Sequence, residues 1–346
     1  MVWTVGAQLY SGRYVIEKLL AQGRFGITYL ARDKNNEPVV IKTLSDRFLN
    51  SSDAERLQQL FVQGAVQLAK CQHPHIVKVK TPFQEGGVWC IAMEYIDGID
   101  LASRAQTILP EAEALQYIRQ ISEALIEVHN NGLLHRDIRP GNIMVRRGKA
   151  EAVLIDFDLA MDFDYELTAT RRGELMNGFA PIELYARSAQ RGPFTDVYSL
   201  GATLYVLLTG KIPVSADERK INNTHLVSPQ DYNQNISPHI NQAILWAMAL
   251  EAKDRPQSVQ QWLDKLEKQE EPNIPNPRQP RKINWEAVAA IGTCLAALIA
   301  LIALLVDSRK DTDKEELQPS PAIESSWCEG APGYGRSPTS SSGFSS

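Results

Sequence analysis

The sequence predicts an α+β fold of two lobes, a small strand-rich lobe over residues 14–95 and a larger, mostly helical lobe over residues 99–268. Residues 9–44 alternate apolar and polar runs broken by Gly and Asn, the pattern of strands joined by hairpins. Within the small lobe a single stretch, 53–70, has helical spacing, at Leu57, Leu60, Phe61 and Leu68. From Leu101 onward helical periodicity takes over.

Taken in order, residues 1–13 form a lead-in, and residues 77–95 supply two further strands, with Cys90 read as buried on one of them. The lobes meet near residues 94–98, where a ligand cleft is expected. Pro110 opens a helix at its first turn, Leu115, Ile118, Ile121, Leu125 and Val128 form its buried stripe, and Gly132 ends it. A Pro/Asn/Gln-rich linker covers 269–284, and a single transmembrane helix is expected over 285–306. Its residues 287–306 are 20 positions without a charge, enough to cross a bilayer core of about 30 Å. Trp285 sits at its interface, and Arg281 and Lys282 precede it. The tail, 307–346, is acidic and then rich in Ser, Pro and Gly, a composition that buries no core and reads as disordered.

The bulk numbers agree with a folded globular region. Apolar residues make up 44% of the 346, charged residues 22%, and net charge is −5 with the basic residues scattered, which excludes a nucleic-acid surface. The four cysteines have no CxxC pair and no metal-ligand spacing, so reduced thiols are expected. No charged-then-apolar leader precedes the first lobe.

The most informative stretch is His135-Arg136-Asp137-Ile138-Arg139-Pro140-Gly141-Asn142, followed one hairpin later by Ile155-Asp156-Phe157. It places a carboxylate, a cation and an amide in one loop and a second carboxylate beside it. Phosphoryl transfer from a metal-bound nucleotide needs that set: one Asp to take the proton of the incoming hydroxyl, and oxygen donors to hold Mg²⁺.

Other motifs appear in order: Gly23-Arg24-Phe25-Gly26, Val39-Val40-Ile41-Lys42, His73-Pro74-His75-Ile76-Val77, Met93-Glu94-Tyr95, Ala180-Pro181-Ile182-Glu183, Asp196-Val197-Tyr198-Ser199-Leu200-Gly201 and Asp254-Arg255-Pro256. With these, residues 14–266 resemble a bacterial protein kinase of the eukaryotic Ser/Thr type, with phrasing similar to cyanobacterial members. The resemblance implies the two-lobe protein-kinase fold, ATP and Mg²⁺ as cofactors, and protein substrates. Asp137 is then the base, Arg139 stands where a Lys usually meets the transferring phosphate, and Lys42 contacts the phosphates. Asn142 and Asp156 are the implied metal ligands. The nucleotide is expected against Leu20, Ala21, Gly23, Arg24, Phe25, Gly26, Thr28, Val40, Met93, Glu94, Ile96 and Met144. Ala21 replaces the usual first glycine, and Val40 replaces an Ala that would leave the adenine slot wider. Glu183 and Arg255 are implied to form a buried ion pair, and Asp196 to hold the catalytic-loop backbone.

Three departures bear on activity. Gly64 stands where the small-lobe helix normally carries a Glu for Lys42, leaving Gln63, Gln67 or Asp156 as substitutes. Asp158 replaces the glycine after Asp156-Phe157, and Met176 replaces a Thr. Thr168 and Thr170 are candidate phosphorylation sites, with Arg136 as a phosphate partner. The reading is a membrane-anchored Ser/Thr protein kinase with its catalytic region in the cytoplasm, possessing reduced activity. The alternative is a pseudokinase scaffold at the membrane. A small-molecule phosphotransferase shares the Asp/Asn loop but not the Glu183, Asp196 and Arg255 set.

Overall fold

The computed structural model describes residues 3–23, 25–157, 178–186, 188–267, 293 and 295–304. The chain divides into two units, Met1–Pro272 and Asn273–Ser346.

In the first unit a six-stranded antiparallel sheet runs in the order β1-β2-β3-β4-β6-β5. Its strands are β1 (Gln8–Leu9), β2 (Tyr14–Gln22), β3 (Gly26–Asp33), β4 (Pro38–Leu44), β5 (Val79–Glu85) and β6 (Val88–Glu94). Helices α1 (Asp46–Leu49) and α2 (Ala54–Leu68) connect β4 to β5. Side chains alternate across each strand, so the sheet has two apolar faces. Ile27, Tyr29, Val39, Ile41, Phe83, Cys90 and Ala92 pack on one. Leu44 and Ile91 turn the other way, onto Phe61 and Ala65 of α2.

The first face is closed by the segment before β2. The Trp3 ring lies 5.4 Å from that of Tyr29, and the Trp3 backbone N–H donates to the Tyr29 hydroxyl at 3.2 Å. Gly6 N–H donates to Ile16 O, and Ile16 N–H to Ala7 O, both at 2.9 Å. The lead-in thus belongs to the small-lobe core, and Leu9 is buried.

A three-stranded sheet follows, β7 (Gly98–Asp100), β8 (Ile143–Arg146) and β9 (Ala152–Leu154), in that order. Gly98 is required here because a Cβ would stand 2.0 Å from the Val145 carbonyl oxygen of β8. The helices are α3 (Glu111–Asn130), α4 (Pro193–Thr209), α5 (Ala216–Asn222), α6 (Pro229–Tyr232), α7 (Pro238–Ala247) and α8 (Val259–Glu267). On α3 the expected stripe is buried at Ile118, Ile121, Leu125 and Val128, with Leu115 at its edge. Pro110 sits at the cap position, one residue before the first turn. Most of α4 is buried, as suits a helix packed on several sides. One core runs from Leu68 of α2 through α3 and α4 to Trp262 of α8.

In the second unit, residue 293 and residues 295–304 are helical, with Leu295, Leu298, Ile299 and Leu301 exposed. Among the described residues no helix is long and apolar enough to cross a membrane. The remainder of the expected span lies outside the described residues, as do the linker and the tail.

Candidate active site

Between the small sheet and the helical lobe lies a cleft of about 580 Å³. Lys42, Arg139, Asn142 and Asp156 line it, with Leu20, Ala21, Thr28 and Val40 from the small lobe. Met93, Glu94 and Ile96 line the connecting segment, and Met144 comes from β8. Asp100 also reaches the lining, its carboxylate accepting the backbone N–H groups of Ala102 and Ser103 at 2.9 Å each.

The hairpin β8–β9 sets the two expected metal ligands side by side. Asn142 directly precedes β8, Asp156 follows β9 closely, and Ile155 N–H donates to Asn142 O at 2.9 Å. Asp156 has φ +66°, which sets its carboxylate direction at some conformational cost. The Asn142 amide nitrogen donates to both Asp137 O (2.7 Å) and Asp137 Oδ2 (2.8 Å). Its Oδ1 therefore points elsewhere. An amide oxygen and a carboxylate of which 37% stays exposed are hard donors that fit Mg²⁺.

Asp137 is held from two sides, by Asn142 and by Arg139, whose Nε lies 3.3 Å from Asp137 Oδ2. Burial pushes the Asp137 carboxyl above the usual range; Arg139, His135 and Asn142 partly oppose this, and Asp156 adds to it. A carboxylate so placed is a better proton acceptor than one in water.

Lys42 lies on β4 opposite Thr28 of β3 and Ile91 of β6. Its ammonium is ion-paired with Asp156 Oδ1. From α2 the cleft receives Phe61, Gly64, Ala65 and Leu68, all without charge. Gln63 is exposed, and neither it nor Gln67 lines the cleft. Of the substitutes considered for the missing Glu, Asp156 is the one in contact with Lys42.

The strand-turn-strand between β2 and β3 closes through Gly23 N–H to Gly26 O at 2.9 Å. A Cβ on Gly26 would meet Thr43 O at 2.7 Å. The Phe25 ring stacks on Phe48, 5.7 Å between centroids, and Phe25 does not line the cleft. Gly23 and Gly26 lie outside the cleft lining too. Arg24, Asp158, Thr168, Thr170 and Met176 fall outside the described residues.

Beneath the site a buried polar framework fixes the catalytic loop. Asp196 on α4 accepts His135 N–H (2.8 Å) and Arg136 N–H (2.7 Å), and pairs with His129 Nε2 at 2.8 Å. Burial alone would raise this carboxyl; the His129 hydrogen bond and the charges of His129 and His135 outweigh it and hold it below the usual value. Arg255 grips Glu183 bidentately, at 2.8 and 3.0 Å, with Thr195 Oγ1 donating to Glu183 Oε1 at 2.9 Å. Further Arg255 N–H groups reach Ala249 O and Leu250 O, and its guanidinium lies 4.9 Å from the Tyr198 ring centroid. The roles of His129 and of buried His135 were missed in the sequence. His135 Nε2 lies 3.0 Å from Ile155 O and its ring 4.5 Å from Phe157, tying the loop to the segment after β9 that carries Asp156. Arg146 on β8 pairs with Glu94 at 2.7 Å across the lobe connection.

Residues 14–270 match the protein kinase domain. The chain belongs to the protein kinase family. A probable serine/threonine-protein kinase of Clostridium perfringens is 28% identical over 75% of this chain and 38% of its own length. Serine/threonine-protein kinase pkn3 of Myxococcus xanthus is 30% identical over 74% of this chain and 49% of its own. The chain therefore spans less than half the length of these relatives. Among solved structures, the apo form of PpkA-294 superposes with a TM-score of 0.64 at 27% identity, covering 77% of this chain and 99% of that one. The kinase relatives are of serine/threonine type, and the two-lobe architecture is that of the family.

Proposed function

We propose that this kinase domain transfers the γ-phosphate of ATP to Ser or Thr hydroxyls of proteins. The observation that carries the reading is one cleft lined by Lys42, Asn142 and Asp156, with Lys42 paired to Asp156 and the Asn142 amide bonded to the Asp137 carboxylate. Asp137 takes the hydroxyl proton, with Asn142 and Arg139 fixing the carboxylate that receives it. Arg139 and Lys42 hold phosphate oxygens in place. Asn142 Oδ1 and Asp156 would hold Mg²⁺, which would supply charge neutralisation on the phosphates. Leu20, Val40, Met93 and Met144 supply the apolar walls for a base, and backbone groups at Glu94 and Ile96 its hydrogen bonds. The full chain incubated with labelled ATP and Mg²⁺ incorporates label, and Asp137→Asn lowers this at least about a hundred-fold. Equal label in both refutes the reading.

Turnover is reduced, because Lys42 has no carboxylate from α2 to hold it. The same observation favours a second reading, a pseudokinase that binds partners without transfer. Failure of both the parent and Gly64→Glu to label any protein selects it.

Anchoring through 285–306 with the kinase domain cytoplasmic is supported by the uncharged run, Trp285, and the basic residues Lys265, Lys268, Arg278, Arg281 and Lys282 before it. The chain then sediments with membranes, and deletion of 285–306 releases it.

A further inference from the structure

We infer that Arg146 is a positioning residue for the nucleotide base, acting through Glu94 without touching the ligand. The inference rests on the nucleotide reading of the cleft and adds to it a side chain that does not line it. Glu94, Tyr95 and Ile96 line the cleft where a backbone edge is expected to meet the base. Such an edge reads a base only if its direction is held, because a hydrogen bond weakens steeply off line. Glu94 is held from both lobes by one carboxylate. Its Oε1 accepts Arg146 Nη2 of β8 at 2.7 Å, and its Oε2 lies 3.4 Å from the Lys78 backbone nitrogen, just before β5. Glu94 N–H donates to Lys78 O at 2.8 Å, so the residue is fixed at backbone and side chain together. The guanidinium is itself set between two carboxylates, since Glu151, in the turn from β8 to β9, lies 3.7 Å from its Nε. The Arg146 and Glu94 side chains are 25% and 23% exposed, and their short charge-assisted bond counts for more than an open surface pair. The neighbouring Arg147–Asp97 pair, 76% and 59% exposed, is of the weak kind. One hairpin thus serves both ends of the ligand. Asn142 and Asp156 flank it at the phosphate end, and Arg146 reaches from it to the segment that faces the base.

Calorimetric titration of the full chain with ADP and with inorganic tripolyphosphate, both in Mg²⁺, separates the base from the phosphates. Arg146→Met binds ADP about five- to ten-fold more weakly than the parent, the scale of one partly exposed charge-assisted hydrogen bond, and binds tripolyphosphate as the parent does. Glu94→Gln, which keeps the shape and removes the partner charge, gives the same selective loss and carries the test should Arg146→Met not fold. Adding Arg146→Met to Glu94→Gln costs less than about two-fold more, because the two act as one unit. Arg147→Met, which breaks only the exposed neighbouring pair, stays within about two-fold of the parent for both ligands. Variants shown folded by circular dichroism that bind ADP as tightly as the parent or more tightly, or that lose tripolyphosphate equally, overturn the inference alone. So do losses that add in the double variant, or an equal ADP loss in Arg147→Met. A parent chain that binds neither ADP nor tripolyphosphate removes the nucleotide reading and the inference with it.

Discussion

Asp196→Asn tests how the catalytic loop is supported. The carboxylate is fully buried and accepts two backbone N–H groups, from His135 and Arg136, besides pairing with His129. Asn keeps the shape but has one acceptor oxygen, so its NH₂ group must face at least one of the donors. With the Asn oxygen at the Oδ2 position, which serves His129 and His135, only the Arg136 N–H loses its acceptor; that charge-assisted bond at about 1.5–3 kcal/mol, with the weakening of the other two set against the lower cost of burying a neutral group, gives about 2–3 kcal/mol of destabilisation. Urea unfolding followed by tryptophan fluorescence reads this as a lower midpoint at unchanged slope. The pH dependence gives an independent check. The folded Asp196 carboxyl lies below its ordinary 3.8, so its stabilisation is complete above that value. It is lost as pH falls through the folded value, because the unfolded chain binds the proton first. The Asn variant lacks this component, and the gap between the two proteins narrows below about pH 4. A variant within about 0.5 kcal/mol of the parent at pH 7, or a gap that does not change on acidification, refutes the reasoning.

Arg139→Met removes the cation that holds the Asp137 carboxyl down against burial. Activity requires the carboxylate form, so the acid limb of the kcat/KM profile moves to higher pH, while an unchanged limb excludes Arg139 as its neighbour in solution. Gly98→Ala brings a methyl group to 2.0 Å from the Val145 carbonyl oxygen, which only backbone displacement relieves. A loss of about 1–3 kcal/mol by urea unfolding is expected, together with weaker nucleotide binding, since Gly98 lines the cleft.

What was legible in the sequence was what short-range spacing encodes. The hairpin between Asn142 and Asp156 fixes their proximity from local pairing alone, and the α3 stripe follows from its period. The Glu183–Arg255 pair spans 72 positions and was reached only through the resemblance, since no local pattern joins them. The partner of Lys42 lies 114 positions away, and the missing carboxylate at Gly64 left several candidates that spacing could not rank. The stacking of Phe25 on Phe48 was not legible, because a glycine-rich turn does not encode which way its aromatic points. The packing of Trp3 on Tyr29 involves too few residues before β1 to form a period.

The catalytic loop is bonded to α4 through Asp196, and the start of α4 is bonded through Thr195 to the Glu183–Arg255 pair, all with buried side chains. That chain of contacts runs without interruption from the helical core to Asp137. Lys42 on the small lobe is instead held by the residue expected to bind metal. A rigid lower half with a ligand-dependent upper half follows from this division. Substitutions in the Asp196 and Arg255 framework should then lower the stability of the free protein, whereas those at Lys42 and Gly64 should act mainly on metal and nucleotide affinity.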